Sequence, residues 1–400
     1  MKQRRIIWGI AATSLAIGAC GTGTGTPDSS GSPASPSVTP SATASAGAAS
    51  CPSGSAPDTP GPADQDRPQL GTTAAAQDRA SGKVVVGEVR AVEDAGLGTL
   101  QATWTFDVCT NTWQRMNPTM VASSPTAGKG SVAIAQFVHH GTSGLTLGLP
   151  VGLTPVWTYS LKEDVWTELP SSRAGAEHSP HSVFDPGRSL LFDWDGQSVL
   201  RSYDLSANEW SAAVGEDEKG PSQSPAEASW LSFDAAEGVA VLTISPTGPA
   251  KAGRTWTFDS GTRAWTEESA APKELSVGGI GGPEVAFDAG QARTVIFTDG
   301  VLATYDAAAD DWAVVKPGPG WPQTSTVDDK SVGPLARTGH TLVYDALNER
   351  VLMFGGVARM ADGDDVTEQQ LDDVWAYDLA DNKWTELVAA RTPARTIQPG

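Results

Sequence analysis

Short stretches in which large apolar residues alternate with smaller or polar ones recur along the chain from about residue 72. Two examples are "TWTFD" (103–107) and "VWAYD" (374–378). Alternation with a period of two is typical of a strand that buries one face. Turn-forming residues and a second stretch that opens with tryptophan follow each example. The pattern therefore predicts two-stranded hairpins.

The predicted hairpins share one spacing, an aromatic residue followed seven positions later by tryptophan. The six pairs are Phe106/Trp113, Tyr159/Trp166, Tyr203/Trp210, Phe258/Trp265, Tyr305/Trp312 and Tyr377/Trp384. We expect the two aromatic side chains to meet across each hairpin as a cross-strand pair. An aspartate directly follows the aromatic residue in every copy except the second, which has Ser160, and we expect it to cap the turn.

A second pair of strand signals lies upstream of each hairpin. It is clearest in "HTLVYDALNERVLMFGG" (340–356), where two apolar stretches flank a polar turn. Cognate stretches lie at 74–89, 181–196, 230–244 and 284–300, and a degenerate copy is predicted at 121–137. Each unit therefore predicts four antiparallel strands, and six units fill residues 72–389.

These units resemble kelch repeats, in which an apolar strand ending in Gly-Gly is followed by an aromatic residue and by tryptophan seven positions on. The aromatic-to-tryptophan spacing is kept in all copies, whereas the strand-ending double glycine survives at 355–356 alone. The resemblance implies an all-β fold, a six-bladed kelch-type β-propeller with four antiparallel strands per blade.

The N-terminal region has the features of an export signal. A basic start (1–5) precedes an apolar run (6–19), and residues 17–20, which end in Cys20, resemble a bacterial lipobox. The alternative is an ordinary secretory signal that contains a cysteine. We expect 1–19 to be a lipoprotein signal peptide and Cys20 to be lipidated, which anchors the protein to the outer face of the cell membrane.

Two further segments flank the predicted propeller. Residues 20–71 are rich in Gly, Ser, Thr, Ala and Pro and have few large apolar side chains, so we expect a disordered tether. Residues 390–400 are expected to form a C-terminal tail.

The net charge of −20 narrows the classes of partner. A surface this acidic repels nucleic-acid phosphates, so we expect no nucleic-acid partner. No Cys/His cluster has zinc spacing, and the sequence has no Gly-x-Ser-x-Gly elbow and no Gly-rich phosphate loop after a strand. We therefore assign no catalytic residue, metal or cofactor, and expect a monomer.

In such blades the first-to-second and third-to-fourth turns share one face and are short, whereas the remaining connections share the other face. Long connections are predicted at 138–155, 216–228, 316–338 and 357–372. Long loops on a rigid scaffold often carry recognition, so we expect a non-catalytic module that binds an envelope protein or glycan through this face. The candidate binding residues are His139, His140, Arg173, Trp230, Trp321, Arg337 and His340. The alternative for each is a packed strand-end residue or a solvated loop residue.

Two other hypotheses from the sequence remain open. Kelch propellers include a sugar mutarotase, so the resemblance also allows a carbohydrate-active enzyme, which would need an arginine and a carboxylate at the mouth of the central channel. The acidic stretch "DGDDVTEQQLDD" (362–373) starts like a calcium loop, but Thr367 replaces the required glycine and Asp373 replaces the final glutamate. A solvated acidic loop is therefore favoured over a calcium site at Asp362–Asp373.

If Cys20 is lipidated, Cys51 and Cys109 remain as an even pair in an oxidising compartment, and we predict a disulfide that pins the end of the tether to the domain. Alkylation of the exported protein followed by mass spectrometry should find neither cysteine modified. Reduction before alkylation is the control and should expose both thiols. Two free thiols in the unreduced protein would contradict the pairing.

Overall fold

The computed structural model describes residues 50–70, 72–91, 98–122, 134, 136–149, 155–170, 181–196, 198–213, 220–224, 227–246, 251–275, 284–315, 333–362 and 365–391. These residues form β-strands and turns, with a single 3₁₀ turn at Lys273–Leu275 in this part of the chain. Within the same ranges, no helix is long and apolar enough to cross a membrane. The predicted all-β class is confirmed.

Six antiparallel sheets of four strands form the blades of a propeller. The strands, blade by blade, are β1 (Thr72–Asp78), β2 (Lys83–Ala91), β3 (Gly98–Asp107) and β4 (Thr112–Arg115); β6 (Gln136–His140), β7 (Leu145–Leu149), β8 (Trp157–Ser160) and β9 (Val165–Glu168); β10 (Ser182–Asp185), β11 (Leu190–Trp194), β12 (Leu200–Asp204) and β13 (Glu209–Ala212); β14 (Ser229–Asp234), β15 (Val239–Ile244), β16 (Arg254–Asp259) and β17 (Ala264–Glu267); β18 (Val285–Asp288), β19 (Arg293–Thr298), β20 (Val301–Asp306) and β21 (Asp311–Val315); and β22 (Thr341–Asp345), β23 (Arg350–Phe354), β26 (Val374–Asp378) and β27 (Lys383–Val388).

Three strands lie outside this plan. β5 (Thr119–Val121) pairs in parallel with β9 and extends the outer edge of blade two. β24 (Val357–Asp362) and β25 (Asp365–Gln370) form a two-stranded ribbon inserted between β23 and β26. The first strand of each blade contacts the first strand of the next, and β22 of blade six contacts β1, which closes the ring.

The apolar core lies between the blades rather than within one layer. Six separate clusters of buried side chains each join two neighbouring blades. Between blades one and two, for example, Ala74 and Val85 pack against Tyr159 and Trp166. Because each sheet has a neighbour on both faces, alternate residues of one strand serve two different interfaces.

The aromatic pairs predicted from the sequence meet in the expected register. Phe258 lies opposite Trp265, and their ring centroids are 5.1 Å apart. The other five pairs have the same register, with centroids 4.8 to 4.9 Å apart. These pairs face the preceding blade, as shown by Trp166 of blade two, whose Nε1 donates to Thr103 of blade one. The repeated spacing is thus an interface between blades.

Each blade contributes two turns to one face of the disc, which we call the turn face. The last residue of the preceding strand caps each turn; Asp288 Oδ1, for example, accepts the N–H groups of Gly290 and Gln291 at 2.9 and 3.0 Å. The last residue of each turn has positive φ, as in Ala292 (+50°) and Gly238 (+73°). We call the opposite face, which carries the remaining connections, the loop face.

The structure corrects the prediction for blade two. Its first two strands, β6 and β7, lie at 136–149 rather than at 121–137, so residues 138–149 of the predicted long loop 138–155 are strand and turn. His140 occupies the position of the capping aspartate, and its Nδ1 accepts the Ser143 N–H at 3.2 Å. Imidazole replaces carboxylate as the acceptor, which hid the repeat in the sequence.

Residues 50–70 are folded, in contrast to the prediction of a disordered tether that extends to residue 71. This segment, which we call the strap, crosses the seam between blades six and one. Cys51 forms a disulfide with Cys109 of blade one (S–S 1.98 Å), and Gly61 donates to the Leu387 carbonyl of blade six. The strap therefore ties the first blade to the last.

The turn at Ala292 allows a matched test of backbone strain. A non-glycine residue with positive φ strains the folded state by about 1–2 kcal/mol, and replacement by glycine relieves this strain. Glycine also gives the unfolded chain more freedom, which lowers the stability by about 0.4–1 kcal/mol and so offsets part of the gain. Ala292→Gly should therefore stabilise the protein by about 0.5–1 kcal/mol. The reverse change at the equivalent Gly238, whose added Cβ would meet no atom within 4 Å, should cost a similar amount.

Chemical denaturation followed by tryptophan fluorescence would measure both effects. Ala308→Gly, in an exposed turn position without positive φ, is the control and should be slightly destabilising. A destabilised Ala292→Gly variant would contradict the interpretation.

Candidate functional site

A cavity of about 270 Å³ lies in the centre of the ring, where all six innermost strands contribute to its wall. It extends from residues at the start of these strands, such as Gln136 and Thr341, to turn residues such as Arg79 and Pro186. Its mouth is therefore on the turn face. The wall is mostly apolar, with Phe137 and Leu231 among its side chains.

The polar side chains in the wall are largely bound to neighbouring strands. Gln136 exchanges two hydrogen bonds with the Ser182 backbone, both 2.8 Å. Ser232 bonds to Thr294 at 2.8 Å, and Gln77 bonds to Asp345 Oδ1 at 3.0 Å. These groups hold the blades together, so they offer little hydrogen-bonding capacity to a ligand.

Four aromatic side chains line the channel near its mouth, one from each of blades three to six. Each directly precedes the residue that caps the first turn of its blade, and the four are Phe184, Phe233, Phe287 and Tyr344. Gln77 and His139 occupy the same position in blades one and two. We call the four rings the aromatic arc.

Arg79 and Tyr344 lie at the mouth. Arg79 is exposed, and no hydrogen-bond or ion-pair partner for it lies among the described residues. Tyr344 is partly buried, and its hydroxyl accepts the Gly290 N–H at 2.9 Å. Burial raises the pKa of Tyr344 to about 12, the Asp288 carboxylate adds to this, and Arg79 opposes it. The phenol therefore keeps its proton at neutral pH.

His139 lies beside these groups in surroundings that disfavour its charged form. Its Nε2 is 3.9 Å from Asp78 Oδ1, and its side chain is 12 % exposed. Burial lowers the pKa of His139, Asp78 opposes this, and Arg79 adds to the lowering. Asp78 itself caps a turn by accepting the Ala80 N–H at 2.9 Å. Sequence reasoning placed His139 and His140 on the loop face, and the structure places both on the turn face.

At the loop face, Arg337 binds Asp373 at the base of the ribbon. Arg337 Nη1 and Nη2 donate to Asp373 Oδ1 and Oδ2 at 2.5 and 2.9 Å, and Trp375 Nε1 also donates to Asp373. Arg337 donates to the Gly355 carbonyl as well. The guanidinium is fully enclosed, so this fork-to-fork pair fixes where the ribbon leaves the blade.

Glu284 is the centre of a second buried cluster at the loop face. It accepts the Gly339 N–H at 2.6 Å and the Trp230 Nε1–H at 3.3 Å, and His340 Nδ1 is 4.0 Å away. Burial raises the pKa of Glu284 to about 7, although these donors oppose the shift. Burial lowers the pKa of His340 to about 3, and Arg337 adds to this effect. The cluster joins blades four, five and six.

The predicted binding residues within the described ranges are therefore mostly interior. Trp230, Arg337 and His340 lie near the loop face as expected, but each is no more than 1 % exposed. Their apolar surface or charge is used between blades, so they support the loop face rather than form its surface. Cys20, Arg173 and Trp321 lie outside the described residues.

The acidic stretch 362–373 is not the loop that the sequence predicted. Most of it belongs to the ribbon, where Asp362 lies opposite Asp365 across the turn, and Asp373 is the partner of Arg337. Among the described residues, no three His, Cys, Asp or Glu side chains are arranged to hold a metal ion.

Sequence reasoning missed Arg79, Tyr344 and Glu284, and it considered Asp373 only as part of a calcium-like stretch. One signal was available, since an aromatic residue precedes the capping aspartate in four consecutive blades. Nothing in the sequence indicated that Arg79 would line the cavity without a partner among the described residues.

Comparison with known proteins gives no further assignment. No protein-family description matches the chain, and no curated protein sequence matches it.

Glu284 should make stability depend on pH. A carboxyl whose pKa rises on folding stabilises the folded state below its unfolded pKa, and this contribution is lost as pH rises through the folded pKa. Glutamine does not ionise, so Glu284→Gln does not lose this stability as the pH rises. From pH 4.5 to pH 8 the free energy of unfolding of the variant, minus that of the wild type, should therefore increase by on the order of 3 kcal/mol.

Denaturant titrations at several pH values would measure this difference. Glu267→Gln, at an exposed position, should run parallel to the wild type throughout. Parallel curves for Glu284→Gln would show that the pKa of the carboxyl is not raised.

Proposed function

We propose that the protein is a kelch-type propeller, lipid-anchored at Cys20 to the outer face of the bacterial cell membrane. In this proposal it is a non-catalytic module that binds an envelope protein or a glycan through its loop face. The observation that carries the proposal is the difference between the two faces. The turn face consists of capped turns with one repeated geometry, whereas the loop face carries the long connections and the ribbon.

The ribbon is well suited to recognition because its base is rigid. Thr338 and Val357 exchange two backbone hydrogen bonds at 3.1 and 2.8 Å, and Leu371 donates to the Gly356 carbonyl. The buried Arg337–Asp373 pair lies directly below. Elements held in one orientation lose less entropy on binding than free loops do.

The position of the strap also supports use of the loop face. Cys51 is bonded to Cys109, which lies in the β3–β4 turn on the turn face. A tether that enters the domain there is attached away from the loop face. The loop face is then left uncovered by the attachment point and open to partners in the envelope.

A carbohydrate-active enzyme is the second candidate, favoured by Arg79 and Tyr344 at the channel mouth. Such an enzyme would also need a carboxylate free to exchange protons with a sugar. The nearby Asp78 and Asp288 instead accept turn N–H groups and hold the backbone. Binding without turnover therefore remains the better-supported function.

Replacement of residues 358–369 with two glycines would test the proposal in the exported protein. Capture of a stoichiometric partner from envelope extract, or binding on a glycan array, should weaken at least tenfold. The control replaces Lys162 and Glu163, in a turn on the opposite face, with two glycines and should bind normally. Both variants should melt at about the wild-type temperature.

Two results would contradict the proposal. Equal loss of binding in both variants would show that the loop face is not the binding surface. Turnover of a glycan, with no stoichiometric partner, would favour the enzyme.

A further inference from the structure

We propose that the channel mouth on the turn face is a second binding site, for a small organic carboxylate with an aromatic or short alkyl body. The juxtaposition that indicates it is an unpaired guanidinium, Arg79, beside the aromatic arc at the opening of an apolar cavity. This site is independent of the proposed function, which uses the opposite face.

The guanidinium of Arg79 is available, in contrast to those of other arginines near this face. Arg188 pairs with Asp185 at 3.4 Å, Arg293 pairs with Asp306 at 2.7 Å, and Arg350 pairs with Asp345 at 3.1 Å. Arg79 has no such partner in the described part of the chain and lines the cavity.

Tyr344 supplies a second donor at the same place. Its oxygen already accepts the Gly290 N–H, so its own hydroxyl proton remains to be donated. A guanidinium and a phenol O–H are both donors, and together they match a carboxylate, which only accepts hydrogen bonds. A neutral amide offers an acceptor oxygen as well, but it lacks the negative charge that pairs with a guanidinium.

The wall of the cavity determines the body of the ligand. The side chains of Gln136, Ser232 and Thr341 are bound to neighbouring residues, so a sugar's hydroxyl groups would be left unpaired at a cost of about 1–3 kcal/mol each. An aromatic or alkyl body would instead pack on the aromatic arc. A volume of about 270 Å³ is just below the range of about 300–1,000 Å³ that is typical of ligand pockets. The ligand is therefore a small one.

The carboxylates near the mouth explain why Arg79 should be decisive. Asp78 and Asp288 are enclosed and accept backbone N–H groups of their turns, so they are poorly placed to bind an ammonium group directly. Their charge nevertheless repels an anion. Without Arg79, the carboxylates at the mouth would have no opposing Lys or Arg among the described residues that line the cavity.

Three probes of nearly equal shape test the charge of the ligand: benzoate, benzamide and benzamidine. Calorimetry or ligand-observed NMR with the exported, disulfide-bonded protein should show benzoate binding at least tenfold more tightly than benzamide. Benzamidine should bind no better than benzamide. Glucuronate, a carboxylate with a polyhydroxylated body, should bind more weakly than benzoate.

Variants then identify the donors. Arg79→Gln should weaken benzoate binding at least tenfold and leave benzamide binding unchanged, and Tyr344→Phe should weaken benzoate binding about threefold. Lys162→Gln removes the same charge from an outer turn of the same face and should bind benzoate normally. The melting temperature of each variant shows whether it is folded.

Several outcomes would overturn the proposal. One is that benzoate does not bind at concentrations up to 10 mM, and another is that benzoate and benzamide bind equally well. A third is that benzamidine binds more tightly than benzamide, or glucuronate more tightly than benzoate. The last is that a folded Arg79→Gln variant binds benzoate as well as the wild type does. None of them bears on the loop face, so the two proposals fail separately.

Discussion

Each blade of this propeller is stable because another blade covers each face of its sheet. A four-stranded sheet has two faces, and here both are apolar, with Val85 of β2 packing towards blade two and Val84 and Val86 packing towards blade six. An isolated blade would leave one or both faces in water. The ring must therefore close, and the interface between blades six and one is as necessary as the other five.

The seam has contacts that no other interface in the described residues shares. The strap lies across it, and the buried Arg350 donates to Asp345 of blade six, to the Val108 carbonyl of blade one and to the Pro57 carbonyl of the strap. The Cys51–Cys109 disulfide closes a segment of 58 residues, which in the chain-entropy model stabilises the fold by about 4 kcal/mol. The ends of the folded chain are thus held where the ring closes.

The same constraint explains why most of the predicted binding residues are structural. Trp230, Arg337 and His340 have the chemistry of interface anchors, but they lie where three blades converge and are used there. A residue type cannot tell whether its partner is another blade or a ligand. The groups left for ligands, Arg79 and the Tyr344 hydroxyl, differ from them only in what surrounds them.

The sequence by itself determined the repeat, the four strands per unit and the pairing within each hairpin. These features are local, because a period of two, a capping aspartate and a cross-strand aromatic pair depend on residues close together in the chain. It misplaced the first two strands of blade two, where His140 replaces the aspartate, and it did not reveal the folded strap, whose order comes from distant partners such as Leu387 and Arg350.

Only the tertiary structure decided which side chains are enclosed, which face each one reaches and which donors remain unpaired. Those properties depend on neighbours that ring closure brings together, as with Arg79 and Tyr344, which are far apart in sequence and line the same cavity.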